Sequence, residues 1–95
     1  MAIAHLITYK TSKPDTIIAQ TLAYKERELD RSPPEGFLAV HIYADEEDGS
    51  VIFLTEWESL EHLTETQDMA PWEAAQDLND TFSDKVTATT FKIIS

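Results

Sequence analysis

Apolar residues recur along this chain at two spacings, every second position and every third or fourth, and the switches between them divide it into segments. From Ala2 to Lys10 the alternation puts Ile3, His5, Ile7 and Tyr9 on one face of a strand and Ala4, Leu6 and Thr8 on the other. Thr11, Ser12 and Lys13 break the pattern, and Pro14 suits the first turn of a helix running from about Asp15 to Asp30. Ile18, Leu22 and Leu29, with Ala19 and Ala23 beside them, form its predicted buried stripe. Lys25 with Glu28, and Glu28 with Arg31, have the spacing of i,i+3 pairs on a solvated face.

Ser32-Pro33-Pro34-Glu35-Gly36 ends that helix, and a second strand follows. Its alternation groups Phe37, Ala39, His41 and Tyr43 against Leu38, Val40, Ile42 and Ala44. The acidic run Asp45-Glu46-Glu47-Asp48-Gly49 reads as a hairpin tip; it lacks the spaced Asp pattern and distal Glu of a calcium loop. The next strand carries Phe53, Thr55 and Trp57 on one side and Ile52, Leu54 and Glu56 on the other, and Ser59 reads as the N-cap of a short helix from Leu60 to about Gln67. Pro71 starts another helix, ending near Ser83, whose stripe is Trp72, Ala75, Leu78 and Phe82; Val86 to Ile94 closes the chain as a strand. The order β-α-β-β-α-β predicts one α+β domain over residues 1–95: a ferredoxin-like four-stranded antiparallel sheet with its helices on one face.

Helices on one side leave the other side of the sheet uncovered, yet the strands are apolar on both. Without a β-bulge, parity assigns Leu6, Val40, Ile42, Ile52 and Leu54 to an aliphatic face, and His5, Tyr9, His41, Tyr43, Phe53 and Trp57 to an aromatic and polar one. A few hundred Å² of apolar surface left in water costs several kcal/mol at about 25 cal/mol per Å². The aliphatic face is therefore expected to pack against a second copy in a homodimer.

Composition narrows the function. Eighteen acidic against seven basic residues give a net charge of −11, which opposes nucleic acid and anionic membranes. There is no cysteine, hence no disulfide, thiolate metal site or cysteine nucleophile. No apolar run is long enough to span a bilayer and no signal-peptide pattern opens the chain, so a cytoplasmic protein is expected. Two glycines cannot build a phosphate-binding loop.

The remaining chemistry lies on the aromatic face. His5 and His41 are candidate proton acceptors, because imidazole titrates near neutral pH; each also fits a hydrogen-bonded core position. Trp57, Phe53, Tyr9, Tyr43, Trp72 and Phe82 are candidate walls for a small aromatic ligand. Trp57, at a strand-to-helix corner, suits both a pocket wall and a plug for the end of the core. A two-histidine metal site lacks a third ligand, since parity puts Glu56 on the opposite face, and His62 is expected on an exposed helix face.

Gly36-Phe37-Leu38, the acidic hairpin, Trp57-Glu58-Ser59, and Pro71 with Ala74-Ala75 downstream together resemble the antibiotic-biosynthesis-monooxygenase family of dimeric α+β barrels. The resemblance spans nearly the whole chain. It implies a homodimer with a pocket in each protomer between sheet and helices. It further implies, in active members, cofactor-independent oxidation of anthrones or quinols by molecular oxygen, with the deprotonated substrate as electron source. Trp57 matches the pocket tryptophan of the polyketide-oxidising members. Phe53 stands where those members have an asparagine, and Leu63 where they have a tyrosine. The Asn, Trp and His of the heme-degrading branch correspond to His5, Thr66 and Gln76, and Thr66 also replaces a histidine that many members carry. The resulting expectation is a cofactor-free monooxygenase acting on a phenolic, anthrone or quinol-like aromatic, with His5 or His41 as base. The alternative is a non-catalytic dimeric module that binds a small hydrophobic metabolite.

Overall fold

The computed structural model describes residues 1–95. Strand β1 (Ile3–Lys10) leads into helix α1 (Pro14–Tyr24) and one π-helical segment (Lys25–Asp30). Strands β2 (Phe37–Asp45) and β3 (Ser50–Trp57) form a hairpin, followed by helices α2 (Leu60–Gln67) and α3 (Ala70–Thr81) and strand β4 (Lys85–Lys92). The sheet runs β2-β3-β1-β4, antiparallel throughout, which is the ferredoxin-like arrangement expected. The hairpin closes on Gly49, whose φ of +73° and whose approach to Thr11 exclude a side chain: a Cβ there would lie 2.5 Å from the Thr11 carbonyl oxygen.

The π-helical segment changes the first helix from its predicted form. The Arg31 amide donates to the Glu26 carbonyl at 3.3 Å, five residues back, and the wider turn brings i and i+5 onto one line. Two ion pairs follow that spacing, Lys25 Nζ to Asp30 Oδ2 at 2.7 Å and Arg31 Nη2 to Glu26 Oε1 at 3.0 Å, and Glu28 pairs with its neighbour Arg27, in place of the expected i,i+3 pairs. Tyr24 and Leu29, also five apart, are both buried. The buried stripe of α1 is Ile17, Thr21 and Tyr24, while Leu22 is half exposed and Ile18 only packs at the margin. Thr21 tolerates burial because its hydroxyl accepts a hydrogen bond from Asn79 Nδ2 on α3 at 3.2 Å.

A second departure decides which residues share a face. Between Phe37, paired with Trp57, and Ala39, paired with Glu56, β2 carries one extra residue, Leu38. One inserted residue reverses the parity of everything beyond it. Val40 and Ile42 therefore lie opposite Thr55 and Phe53 and pack into the core under the helices. His41 and Tyr43 lie opposite Leu54 and Ile52 on the open face, where their rings stack at 6.1 Å. The aliphatic set expected at a dimer contact thus keeps Leu6, Ile52 and Leu54 but loses Val40 and Ile42. His41 and Tyr43 take their places, and Phe91 joins them from β4.

The core lies between the helix face of the sheet and α1 and α3. Phe53 and Trp72 meet Tyr24 edge-on, at 6.2 and 5.8 Å between centroids. A smaller cluster at the sheet end joins Ile3, Trp57 and Leu63, with Phe37 edge-on to Trp57 at 5.5 Å. Strand β4 is exposed along its length, so Val86, Ala88 and Thr90 have no helix over them.

Candidate functional site

Of the predicted residues, the structure gathers His5, Tyr9, Phe53, Trp57 and Trp72 on the helix face and separates His41 and Tyr43 from them by the thickness of the sheet. Within one protomer the two histidines therefore cannot share a substrate. His5 sits on the central strand between Thr55 of β3 and Thr90 of β4. It is buried, and burial holds its imidazole below the usual value of 6.5, so it is neutral at pH 7. Nδ1 lies 3.1 Å from Thr90 Oγ1, and Nε2 lies 3.4 Å from the amide nitrogen of Gln67 at the end of α2. With that amide orientation Nε2 carries the lone pair and the Nδ1 proton is donated to Thr90. The Trp72 ring is 6.3 Å from the imidazole.

Beside this histidine, at the sheet end, an apolar cleft of about 500 Å³ is lined by Ile3, Leu60, Phe91 and Thr90, with Met1 and Lys92 at its margin. Thr90 belongs both to the cleft and to the hydrogen-bonded surroundings of His5. Ser59, at the cleft rim, caps α2 as expected: its Oγ accepts from the His62 amide at 3.3 Å. His62 is half-buried rather than exposed, because its ring lies against Gly36 and its Nδ1 meets Ser59 Oγ at 2.7 Å.

Tyr9 is two positions beyond Ile7 on the same face, hence roughly 13 Å along the strand from His5, too far to act on the same reacting atom. Its hydroxyl donates to Gln76 Oε1, and burial is the largest cause of its raised phenol value, opposed by hydrogen bonds to Asn79 and Gln76. Trp57 is fully buried, its indole N–H donating to Thr55 Oγ1 at 2.9 Å; neither it nor Phe53 lines a cleft. Phe82 lies half-buried at the far end of α3 under the Lys13 ammonium, 5.5 Å above its ring. No three His, Asp or Glu side chains converge as metal ligands.

Gln67 and Thr90, the hydrogen-bond partners of His5, and Tyr24, at the centre of the aromatic core, are not singled out by the sequence pattern. Gln67 and Thr90 carry no periodic signal, since only the folded approach of α2 and β4 gives them a partner. Tyr24 carries a signal in the Ile17-Thr21-Tyr24 spacing, but the more apolar Ile18-Leu22 pair competes with it.

No protein-family model and no curated protein matches the sequence. Solved structures do match its fold over almost the whole chain. A conserved protein from Methanosarcina mazei is 16% identical at a TM-score of 0.83, over 97% of this chain and 92% of that one. An antibiotic biosynthesis monooxygenase is 14% identical at 0.80, over 98% and 99%. SnoaB, a cofactor-independent oxygenase from Streptomyces nogalater, is 11% identical at 0.74, over 99% and 94%. The chain therefore has the ferredoxin-like fold seen in antibiotic biosynthesis monooxygenases.

Proposed function

We propose that this chain is a member of the antibiotic-biosynthesis-monooxygenase family that oxidises a compact phenolic, anthrone or quinol-like aromatic with molecular oxygen, without a cofactor, as a homodimer. The observation that carries this reading is His5: a buried, neutral imidazole on a central strand, joined through its hydrogen bond with Thr90 to an apolar cleft large enough for an aromatic ring system. The likeness in fold to SnoaB supports the class of chemistry.

In this reading the substrate lies against Ile3 and Leu60 and displaces the Gln67 amide from Nε2. His5 takes the acidic proton there, while Thr90 holds the opposite ring nitrogen and fixes the tautomer. The substrate anion is the reductant for oxygen. For an anthrone the balance closes with the CH₂ carbon becoming a carbonyl and the second oxygen atom leaving as water. The apolar side chains Ile3, Leu60 and Phe91 offer the substrate ring system a hydrophobic surface. Homodimerisation through Leu6, Ile52 and Leu54, joined by His41, Tyr43 and Phe91, leaves this cleft's helix-side wall free.

A second reading, a dimeric module that binds a hydrophobic metabolite without turnover, is favoured by the closed surroundings of Trp57 and by Phe53 and Leu63 at the motif positions. Oxygen uptake by the metal-stripped protein against anthrones and hydroquinones separates the two. Uptake above the spontaneous rate, reduced at least about tenfold in His5→Phe, is expected. Binding seen as a rise in melting temperature without uptake supports the module, and uptake unchanged in His5→Phe refutes the role of His5.

A further inference from the structure

A second cleft, of about 290 Å³, opens on the helix side between the π-helical segment and the junction of α2 with α3. Pro34 and Pro71 make rigid walls, Met69 closes one side, and Tyr24, Trp72 and Glu28 supply the chemistry. We propose that this cleft binds a small organic cation of the quaternary or tertiary ammonium type.

Three observations converge on that ligand class. Glu28 is the only charged residue of the lining and no basic residue contributes to it, so the cleft offers an anion no countercharge. One carboxylate oxygen, Oε2, accepts from Arg27 Nε at 3.0 Å, while Oε1 has no donor within the protein. Tyr24 and Trp72, which meet edge-on at 86°, both line the cleft, so a cation there would lie beside two aromatic side chains. The net charge of −11 adds long-range attraction for cations. The Tyr24 phenol, pushed up to about 12 by burial and then by Glu28, stays neutral at pH 7.

The π-helical segment is what builds the cleft. By widening the helix it keeps Tyr24 and Leu29 both facing inward and sets Glu28 at the cleft. The cleft lies on the opposite side of the sheet from the open face, so pairing of two copies there would leave it accessible. It is also separate from the apolar cleft beside Thr90, with which it shares no residue.

The two tryptophans provide the reporter. Trp72 lines the cleft and Trp57 is buried elsewhere, so their indole N–H resonances, assigned with Trp72→Phe, distinguish binding here from a general effect. The probe is choline, compared with its neutral isostere 3,3-dimethylbutan-1-ol. Saturable movement of the Trp72 resonance at millimolar choline is expected, with Trp57 still, and the isostere binding at least about fivefold more weakly. Glu28→Gln, at a partly exposed position, should weaken choline about fivefold and leave the isostere unchanged. Tyr24→Phe, which keeps the ring, should retain affinity. Equal binding of the isostere, insensitivity to Glu28→Gln, or no saturable Trp72 shift would overturn the proposal.

Discussion

Leu6→Asp gives the sharpest test of the proposed pairing of two copies through the open face. Leu6 lies in the middle of the open face, paired with Leu54 on one side and Thr89 on the other. In a two-fold dimer each substitution occurs twice across one contact. An unpaired charge in a buried contact costs about 3–5 kcal/mol, so two cost roughly 6–10 kcal/mol. At about 1.4 kcal/mol per decade, that raises the dimer dissociation constant by four orders of magnitude or more. The isolated protomer should lose less than the contact does, since Leu6 keeps part of its surface in water there and the carboxylate can stay hydrated. The contrasting change is Ile42→Ala. After the bulge Ile42 faces Phe53 and packs at the margin of the core, so it should lower folding stability by about 1–2 kcal/mol without introducing charge at the contact. Sedimentation velocity at micromolar concentration, with urea melts of each variant, reads both effects. A wild-type dimer that becomes monomeric in Leu6→Asp is expected; a wild-type monomer, or a Leu6→Asp dimer as tight as wild type, refutes the reasoning.

Three further outcomes follow from single positions. Gly36→Ala should destabilise the fold by about 2–4 kcal/mol in urea melts, because φ is +81° and the new Cβ would come within 2.2 Å of His62 Cγ; His62→Ala should recover the steric part only. Burial depresses His5, so the unfolded chain takes up that proton first on acidification. Its contribution to stability is present above about pH 6.5 and is lost as pH falls through the lower folded value, a dependence that His5→Gln should remove. In spectrophotometric titration Tyr24→Phe should delete the ionisation near about 12, and stability of the wild type should fall as pH rises from about 10 toward it.

Strand and helix order were legible because each segment buries one face and its period records which. What parity could not supply was the bulge at Leu38: an extra residue leaves an alternating sequence looking continuous, so His41 and Tyr43 read as neighbours of His5 when they lie across the sheet. The π-helical segment escaped for a similar reason. Lys25 to Asp30 are all charged except Leu29, so no apolar period marks the widened turn, and only the folded backbone bond from Arg31 to Glu26 and the i,i+5 ion pairs reveal it. His5 was legible as a helix-side residue of the first strand. Its environment was not, because Thr90 and Gln67 reach it from segments 85 and 62 residues away.

Proton transfer to His5 is the central step of the proposed reaction, and an anaerobic spectrum of an anthrone bound to the protein measures it most directly, since the anthrone and its anion absorb at different wavelengths and no oxygen is present to consume the anion. Appearance of the anion band in the wild type, and its absence in a His5→Phe variant that still binds the anthrone, is the predicted result. An anion band of equal intensity in both proteins, or none in the wild type despite saturating anthrone, would contradict it.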